Sequence, residues 1–237
     1  MRALAAWSMD MNLEKLARLP NFLQRFGLVH GLRLSATVNG QGADVKAEGR
    51  PVSVPGFGAP IWVRPTRSDY SIFWQSIVRQ QYKIDQFDQT HELFKRADAA
   101  RAKGQVPMII DAGANIGLSM RTFAKTYPGV LIVTLEPDDD NMRLVHQNAQ
   151  SLQGRVTNVQ GAIASRSGHC RVINRQRGSA GLQTEFCAAT DAGAVQAYTI
   201  DDLVAMVPGG HPWIVKLDIE GAQDELFSAN TEWVGRA

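Results

Sequence analysis

The sequence predicts an α/β fold built around a parallel sheet, on three observations from the 237-residue chain. Short apolar runs typical of buried strands occur at 108–110, 131–135 and 213–217. An amphipathic helical pattern follows each of the first two runs. Each run ends in an acidic residue, and these residues are Asp111, Glu136 and Asp218. Alternation of buried strands with helices is the pattern of a parallel sheet covered by helices.

Residues 1–104 are expected to form an N-terminal extension and lead-in, and residues 105–237 the main domain. Residues 12–26 have the spacing of an amphipathic helix that breaks near Pro20. Residues 31–60 alternate in short apolar steps around a Pro-Gly turn, which predicts a small β-hairpin lobe.

A helix is predicted to begin at Ser68 and Asp69. The apolar residues after them recur at i, i+3, i+4, i+7 and i+8, from Tyr70 to Val78. Two interpretations of the first two residues stay open. Ser68 and Asp69 either lie near a ligand or only cap the helix.

The first core strand leads into the turn D-x-G-x-N-x-G at residues 111–117. In parallel sheets such turns lie at the carboxyl ends of the strands, where ligands bind. A dinucleotide site would have the pattern G-x-G-x-x-G. Asp111 and Asn115 instead favour a ligand with cationic groups and hydroxyls, so S-adenosylmethionine fits better than NAD, with Gly113 and Gly117 shaping the turn. The alternative is an ordinary strand–helix turn.

The second core strand ends at Glu136, 25 residues after Asp111. An acid at this point of the sheet can accept the two hydroxyls of an adenosine ribose. A third strand is expected at residues 156–160, and Ala162 just after it is placed to touch the adenine. Residues 175–181 are expected to form a loop facing the acceptor. Thr199 and Asp202 have the spacing of a capping box.

Several of these segments together resemble the FkbM family of S-adenosylmethionine-dependent methyltransferases. The matching stretches are residues 111–117, 136–137, 158–162, 199–203 and 216–222, with a lead-in at 63–69 and 82. Gln223 departs from the Glu that is commoner in the family. The resemblance implies a class I methyltransferase sheet of Rossmann-like type and O-methylation of a hydroxyl on a sugar or secondary metabolite.

Methyl transfer to an alcohol is aided by a base. Asp218 and Glu220 are the best candidates, because residues two apart in a strand point to the same side. The simpler alternative is structural: Asp218 binds a backbone or ammonium group and Glu220 caps the next helix. No complete metal ligand set is expected from the sequence.

The composition limits the kinds of partner that the protein is expected to bind. The net charge of +2 and the absence of a basic run argue against a nucleic-acid-binding protein. No stretch is apolar enough for a membrane span. Cys170 and Cys187 lack metal-ligand spacing, and two cysteines suggest a reduced, cytoplasmic setting. The expected partner is a small-molecule or carbohydrate acceptor.

Two other functions remain open. The first is an NAD-binding oxidoreductase, which is favoured only by the generic strand–helix turn. The second is a truncated, non-catalytic relative that binds ligand without turnover. The sheet of the resembled family has seven strands in the order 3-2-1-4-5-7-6. Only the first four can be placed here, followed by a helix at about 222–229, so strands 5 to 7 are expected to be missing and the exposed sheet edge to permit self-association.

Overall fold

The computed structural model describes residues 2–38, 47–85, 87–173, 183–219 and 221–237. The chain forms two compact units, residues 1–81 and 82–237. The boundary lies before helix Thr90–Ala102, so this helix belongs to the second unit, whereas the sequence analysis placed it in the lead-in.

The first unit begins with helix α1 (Arg2–Thr37), which is kinked at Gly27. The expected break near Pro20 is wrong, because the helix continues through this residue and Gly27 takes the left-handed φ of 75°. Packing holds the helix around the proline: Phe22 is fully buried and stacks on Tyr70 and Phe73. The expected strand character at residues 31–37 is also wrong. A methyl group on Gly31 would lie 2.7 Å from the Phe22 carbonyl oxygen, so the two helical arms pack closely there.

The rest of the first unit agrees more closely with the elements predicted from the sequence. Strands β1 (Arg50–Val52) and β2 (Ile61–Val63) pair antiparallel, which confirms part of the predicted hairpin lobe. Helix α2 (Arg67–Phe73) continues into a π-helical turn, Trp74–Val78, with its apolar face buried as predicted. The N-cap is Thr66, two residues before the predicted start.

The second unit is organised around a four-stranded sheet. The elements run in the order α3 (Thr90–Ala102), β3 (Val106–Ala112), α4 (Leu118–Thr126), β4 (Leu131–Glu136), α5 (Asp139–Ala149), a 3₁₀ turn (Gln150–Leu152) and β5 (Val156–Gln160). There follow β6 (Ala162–Ile163), β7 (Gly168–Ile173), β8 (Gln183–Phe186), β9 (Ala194–Tyr198), α6 (Ile200–Ala205), β10 (Gly210–Leu217), α7 (Gln223–Leu226) and a 3₁₀ turn (Glu232–Gly235).

The main sheet has the order β10-β3-β4-β5, and every neighbouring pair is parallel. This is a mixed α/β architecture consistent with a Rossmann-like fold. The order also matches the predicted arrangement of the first four strands. Within the described residues, β10 pairs with β3 on one side and forms an edge of this sheet.

Helices cover both faces of the sheet. Neighbouring residues of each strand point to opposite sides, so one strand packs against helices on both faces. Met108 and Ile110 pack with Leu203 and other side chains of α6 and the C-terminal segment. Ile109 faces the other way and packs with α3 and α4, where Phe123 belongs to the same cluster. Both faces of β3 are therefore buried, as its uninterrupted apolar run predicted.

A second sheet, of order β6-β9-β7-β8, is inserted between β5 and β10. Along the chain, its strands β7 and β9 flank the described part of β8, and Thr199 and Asp202 form the predicted capping box of α6. The loop predicted at 175–181 lies outside the described residues. The helix expected at 222–229 is only one turn and ends at Leu226. Further along, Asn230 takes a left-handed φ of 54°, and its amide donates to Ser165 O at 2.7 Å.

No helix among the described residues has both the length and the apolar character needed to cross a membrane.

Candidate functional site

The turn after β3 lies where three strands of the main sheet end side by side. Gly113 N–H and Ala114 N–H both donate to the Leu135 carbonyl, at 2.9 and 3.0 Å. On the other side, Asp218 N–H donates to the Ala112 carbonyl at 3.1 Å. A Cβ on Gly113 would overlap the Asp218 carbonyl oxygen, and Gly113 has a φ of 74°. Only glycine permits this approach, so the chain brings the ends of β3, β4 and β10 together.

Asp111 lies inside this edge of the sheet. Its side chain is fully buried, Ser119 Oγ donates to Oδ2 at 2.6 Å, and Lys216 Nζ lies 3.0 Å from Oδ1. The Asp111 carboxylate is thus occupied by contacts within the protein, and its expected contact with a ligand stays a prediction. Asp111 ties the start of α4 to strand β10.

Lys216 is the site residue that the sequence analysis missed. Its Nζ pairs with Asp111, donates to the Gly113 carbonyl at 2.6 Å, and lies 3.8 Å from Asp218 Oδ2. Its side chain is 8% exposed. A charged residue in the apolar run 213–217 was the available signal, because a lysine in a buried strand needs partners.

Asp218 follows directly after β10, and its side chain is 51% exposed. The Tyr82 hydroxyl donates to Oδ2 at 2.9 Å, and Lys216 Nζ lies 5.4 Å from the centre of the Tyr82 ring. No sequence spacing pointed to this pair, because Tyr82 and Asp218 are 136 residues apart. Glu220, the other predicted catalytic acid, lies outside the described residues.

Glu136 ends β4 and lies under the turn. Its Oε2 accepts from Asn115 N–H at 2.8 Å, and its Oε1 accepts from Asp138 N–H and Asn141 Nδ2, both at 3.2 Å. A carboxylate has about four acceptor positions, so three are used within the protein. About one acceptor position of Glu136 remains, which is enough for one ribose hydroxyl and not for the expected two.

Burial raises the pKa of the Glu136 carboxyl to about 7, and the nearby Asp138 carboxylate acts in the same direction. The hydrogen bonds from Asn141, Asp138 and Asn115 act in the opposite direction without cancelling the effect of burial. Glu136 therefore changes protonation near neutral pH.

Asn115 and Gly117 shape the second half of the turn. Asn115 has a left-handed φ of 52°, and its own Oδ1 accepts from Ile116 N–H at 2.9 Å. Its side chain is thus used in the turn, as expected for Asn in this conformation. Gly117 caps α4, and a Cβ there would lie 3.3 Å from Val145 Cα of α5. Gly117 thus shapes the turn as expected, whereas the conformational role of Asn115 was not predicted from the spacing.

Ala162 begins β6, directly after the end of β5. Gly161 N–H donates to the Glu136 carbonyl at 3.1 Å, which brings this segment to the end of β4. The Ala162 side chain is buried in a small cluster with Ala197 and Cys170. A contact between Ala162 and adenine stays a prediction.

Ser68 and Asp69 belong to the first unit. Asp69 is fully buried, and its carboxylate accepts from the Arg64 backbone at 2.8 Å and from the Arg64 guanidinium at 2.9 Å. Thr66 Oγ1 also donates to it, at 3.1 Å. These contacts give Asp69 a structural role, although the helix cap itself is Thr66, and a ligand contact of Asp69 stays a prediction. Ser68 is half-buried in the same turn, and its ligand role stays a prediction.

Among the described residues, no group of three or more His, Cys, Asp or Glu side chains is arranged to hold a metal ion.

The edge of the main sheet offers three kinds of group for small-molecule chemistry. They are the half-exposed carboxylate of Asp218, the buried acid Glu136 and the backbone of a glycine-containing turn.

Comparison of the chain with models of protein families, with curated protein sequences and with solved structures finds no significant match.

Proposed function

We propose that this protein is an S-adenosylmethionine-dependent methyltransferase that methylates a hydroxyl group of a sugar or secondary metabolite. The observation that carries the proposal is the convergence of three motifs at one edge of the main sheet. The turn at 111–117, Glu136 and Asp218 end adjacent parallel strands. Ligands of open α/β sheets bind at this edge. The resemblance of the same motifs to FkbM methyltransferases supplies the reaction class.

The cofactor-binding part of the proposal rests on the turn and on Glu136. Glu136 would accept a ribose hydroxyl with its remaining acceptor position, and the ionised form would be the better acceptor. Bound S-adenosylmethionine would supply an electrophilic methyl group on a sulfonium centre. The turn lacks the glycine pattern that lets a pyrophosphate approach, and this favours the methyl donor over NAD.

The acceptor-side part rests on Asp218. In the proposed reaction the acceptor oxygen forms a bond to the methyl carbon, the carbon–sulfur bond breaks, and its electron pair stays on sulfur. The Asp218 carboxylate takes the proton of the acceptor hydroxyl. Tyr82 holds Oδ2 through its hydrogen bond, so the carboxylate is oriented before the acceptor binds. Alignment of this kind supplies much of the catalysis in such displacements.

Calorimetry with S-adenosylmethionine, S-adenosylhomocysteine and NAD tests the cofactor. We expect binding of the first two and none of NAD. Glu136→Gln should weaken binding by roughly tenfold or more, because a hydrogen bond to a charged group is lost. Glu92→Gln, at a side chain that is 63% exposed on α3, is the matched control and should leave the affinity unchanged.

Transfer of a labelled methyl group to a panel of sugars and small alcohols tests the acceptor. Binding of NAD without any response to S-adenosylmethionine would contradict the proposal and favour the oxidoreductase. Binding of S-adenosylmethionine without transfer to any acceptor would favour a ligand-binding protein without turnover.

A further inference from the structure

The second arm of helix α1, from Gly27 to Thr37, has two apolar faces. One face packs inward through Gly31 and Leu34, which are buried. The other face carries three large apolar side chains that remain exposed, and these are Leu28 (67%), Val29 (74%) and Leu32 (47%). A helix that is apolar on both faces normally has a partner on each. The outward face therefore has the character of a docking surface.

The charged side chains within residues 16–38 all have one sign. Residues 16–38 contain three arginines and neither aspartate nor glutamate. Arg18 is occupied within the unit, where it donates to Ser71 and lies over Tyr70 and Trp74. Arg25 and Arg33 are exposed, one before the kink and the other beside Leu32. The outward face thus combines exposed aliphatic side chains with the exposed cation Arg33, and a second exposed cation, Arg25, precedes the kink.

We propose that this outward face docks on an anionic lipid surface. A short helix with aliphatic residues on one side and arginines beside them is suited to lie in the interfacial region of a bilayer. The aliphatic side chains enter the acyl boundary while the arginines pair with anionic headgroups. Three side chains are too few to fill the roughly 800 Å² per partner of a stable protein interface, which argues against a second copy of the chain. The docking is peripheral and does not depend on the methyltransferase proposal.

Flotation with lipid vesicles tests this proposal on the full chain. We expect binding to phosphatidylcholine vesicles that contain about 30 mol% phosphatidylserine, and much weaker binding to phosphatidylcholine alone. Arg25→Ser and Arg33→Ser should each lower the partition coefficient about fivefold, and raised salt should lower it further. Leu28→Ser combined with Val29→Ser should lower binding to both kinds of vesicle.

The matched control is Val234→Ser, because Val234 is an apolar side chain of the second unit that is 50% exposed. This variant should bind vesicles as the unmodified chain does, and circular dichroism checks that every variant is folded. Equal binding of all variants, or no binding to anionic vesicles, would overturn the proposal. Light scattering that shows a dimer broken by Leu28→Ser and Val29→Ser, with no vesicle binding, would assign the face to self-association instead.

Discussion

Three carboxylates end adjacent strands of the main sheet, and burial gives each a different character. Asp111 is fully buried and bound by Ser119 and Lys216, so it stabilises the turn. Glu136 is buried with a raised pKa, so it can change protonation near neutral pH. Asp218 is half-exposed and can meet a substrate. This exposure is the reason that the proposed methyltransferase reaction uses Asp218 as its base.

The first prediction concerns turnover. Asp218→Asn should lower kcat by roughly 10²–10⁴-fold with little change in cofactor affinity, since it removes a base and not a cofactor ligand. Tyr82→Phe should lower kcat less, because it only frees the Asp218 carboxylate from its hydrogen bond.

Steady-state kinetics and calorimetry on the same preparations separate these effects. Equal losses of turnover and cofactor affinity in Asp218→Asn would instead make Asp218 a cofactor ligand. An unchanged kcat in Tyr82→Phe would remove the positioning role from Tyr82.

The second prediction concerns Glu136 and folding. Its pKa is raised from 4.5 to about 7 in the folded protein, so the folded state favours the protonated form. The resulting stabilisation is present below about pH 4.5 and is lost as the pH rises through about 7. Relative to Glu136→Gln, the free energy of unfolding of the unmodified protein should fall by about 3 kcal/mol across this interval. Denaturant titrations of both proteins at several pH values measure it, and a difference that does not vary with pH would contradict it.

At the scale of elements, the turn between β3 and α4 depends on the close approach of three strand ends. Gly113 makes this approach possible at the Asp218 carbonyl, and Gly117 makes another between α4 and α5. Lys216 then connects the turn to β10 through Asp111 and the Gly113 carbonyl. The turn is thus held from both neighbouring strands.

The third prediction tests this turn. Gly113→Ala should destabilise the protein by about 2 kcal/mol more than Gly154→Ala, because the added methyl group overlaps the Asp218 backbone. Gly154 has a similar φ of 77°, but a methyl group added there would have nothing within 4 Å, so its cost is limited to about 1–2 kcal/mol for the left-handed conformation. Denaturant unfolding compares the two variants. Equal losses of stability in the two variants would show that the turn accommodates the added methyl group without further destabilisation.

At the scale of the whole molecule, the two units are stabilised in different ways. The second unit buries apolar side chains on both faces of a parallel sheet. The described part of the first unit contains a two-stranded sheet and helices, and it buries an ion pair between Arg64 and Asp69, with both side chains 0% exposed. Such a pair is costly to break, because the remaining charge has no access to water.

The fourth prediction is that Asp69→Ala destabilises the first unit by about 3–5 kcal/mol, because it leaves Arg64 buried without its counter-ion. Asp98→Ala breaks an exposed pair with Arg101 and should cost less than about 1 kcal/mol. Amide hydrogen exchange in residues 61–78 measures the effect directly. Unchanged protection there in Asp69→Ala would show that the buried pair contributes little.

Local sequence patterns were enough to predict the strands and helices of the main sheet and their order along the chain. Apolar runs, glycine positions and helical spacing are local properties, so β3, α4, β4 and β5 could be predicted within a few residues. The Thr199–Asp202 capping box was predictable for the same reason. The course of the N-terminal helix was less predictable, because packing of Phe22 against Tyr70 and Phe73 outweighs the local effect of Pro20.

The contacts of each site residue, in contrast, depend on the tertiary structure and could not be predicted from local sequence. Whether a carboxylate is open or occupied depends on partners distant in the sequence, such as Lys216 for Asp111 and Tyr82 for Asp218. Burial, which raises the pKa of Glu136, is likewise a property of the packed molecule. Sequence spacing places an acid at the end of a strand, but the neighbouring strands determine its solvation and therefore its chemistry.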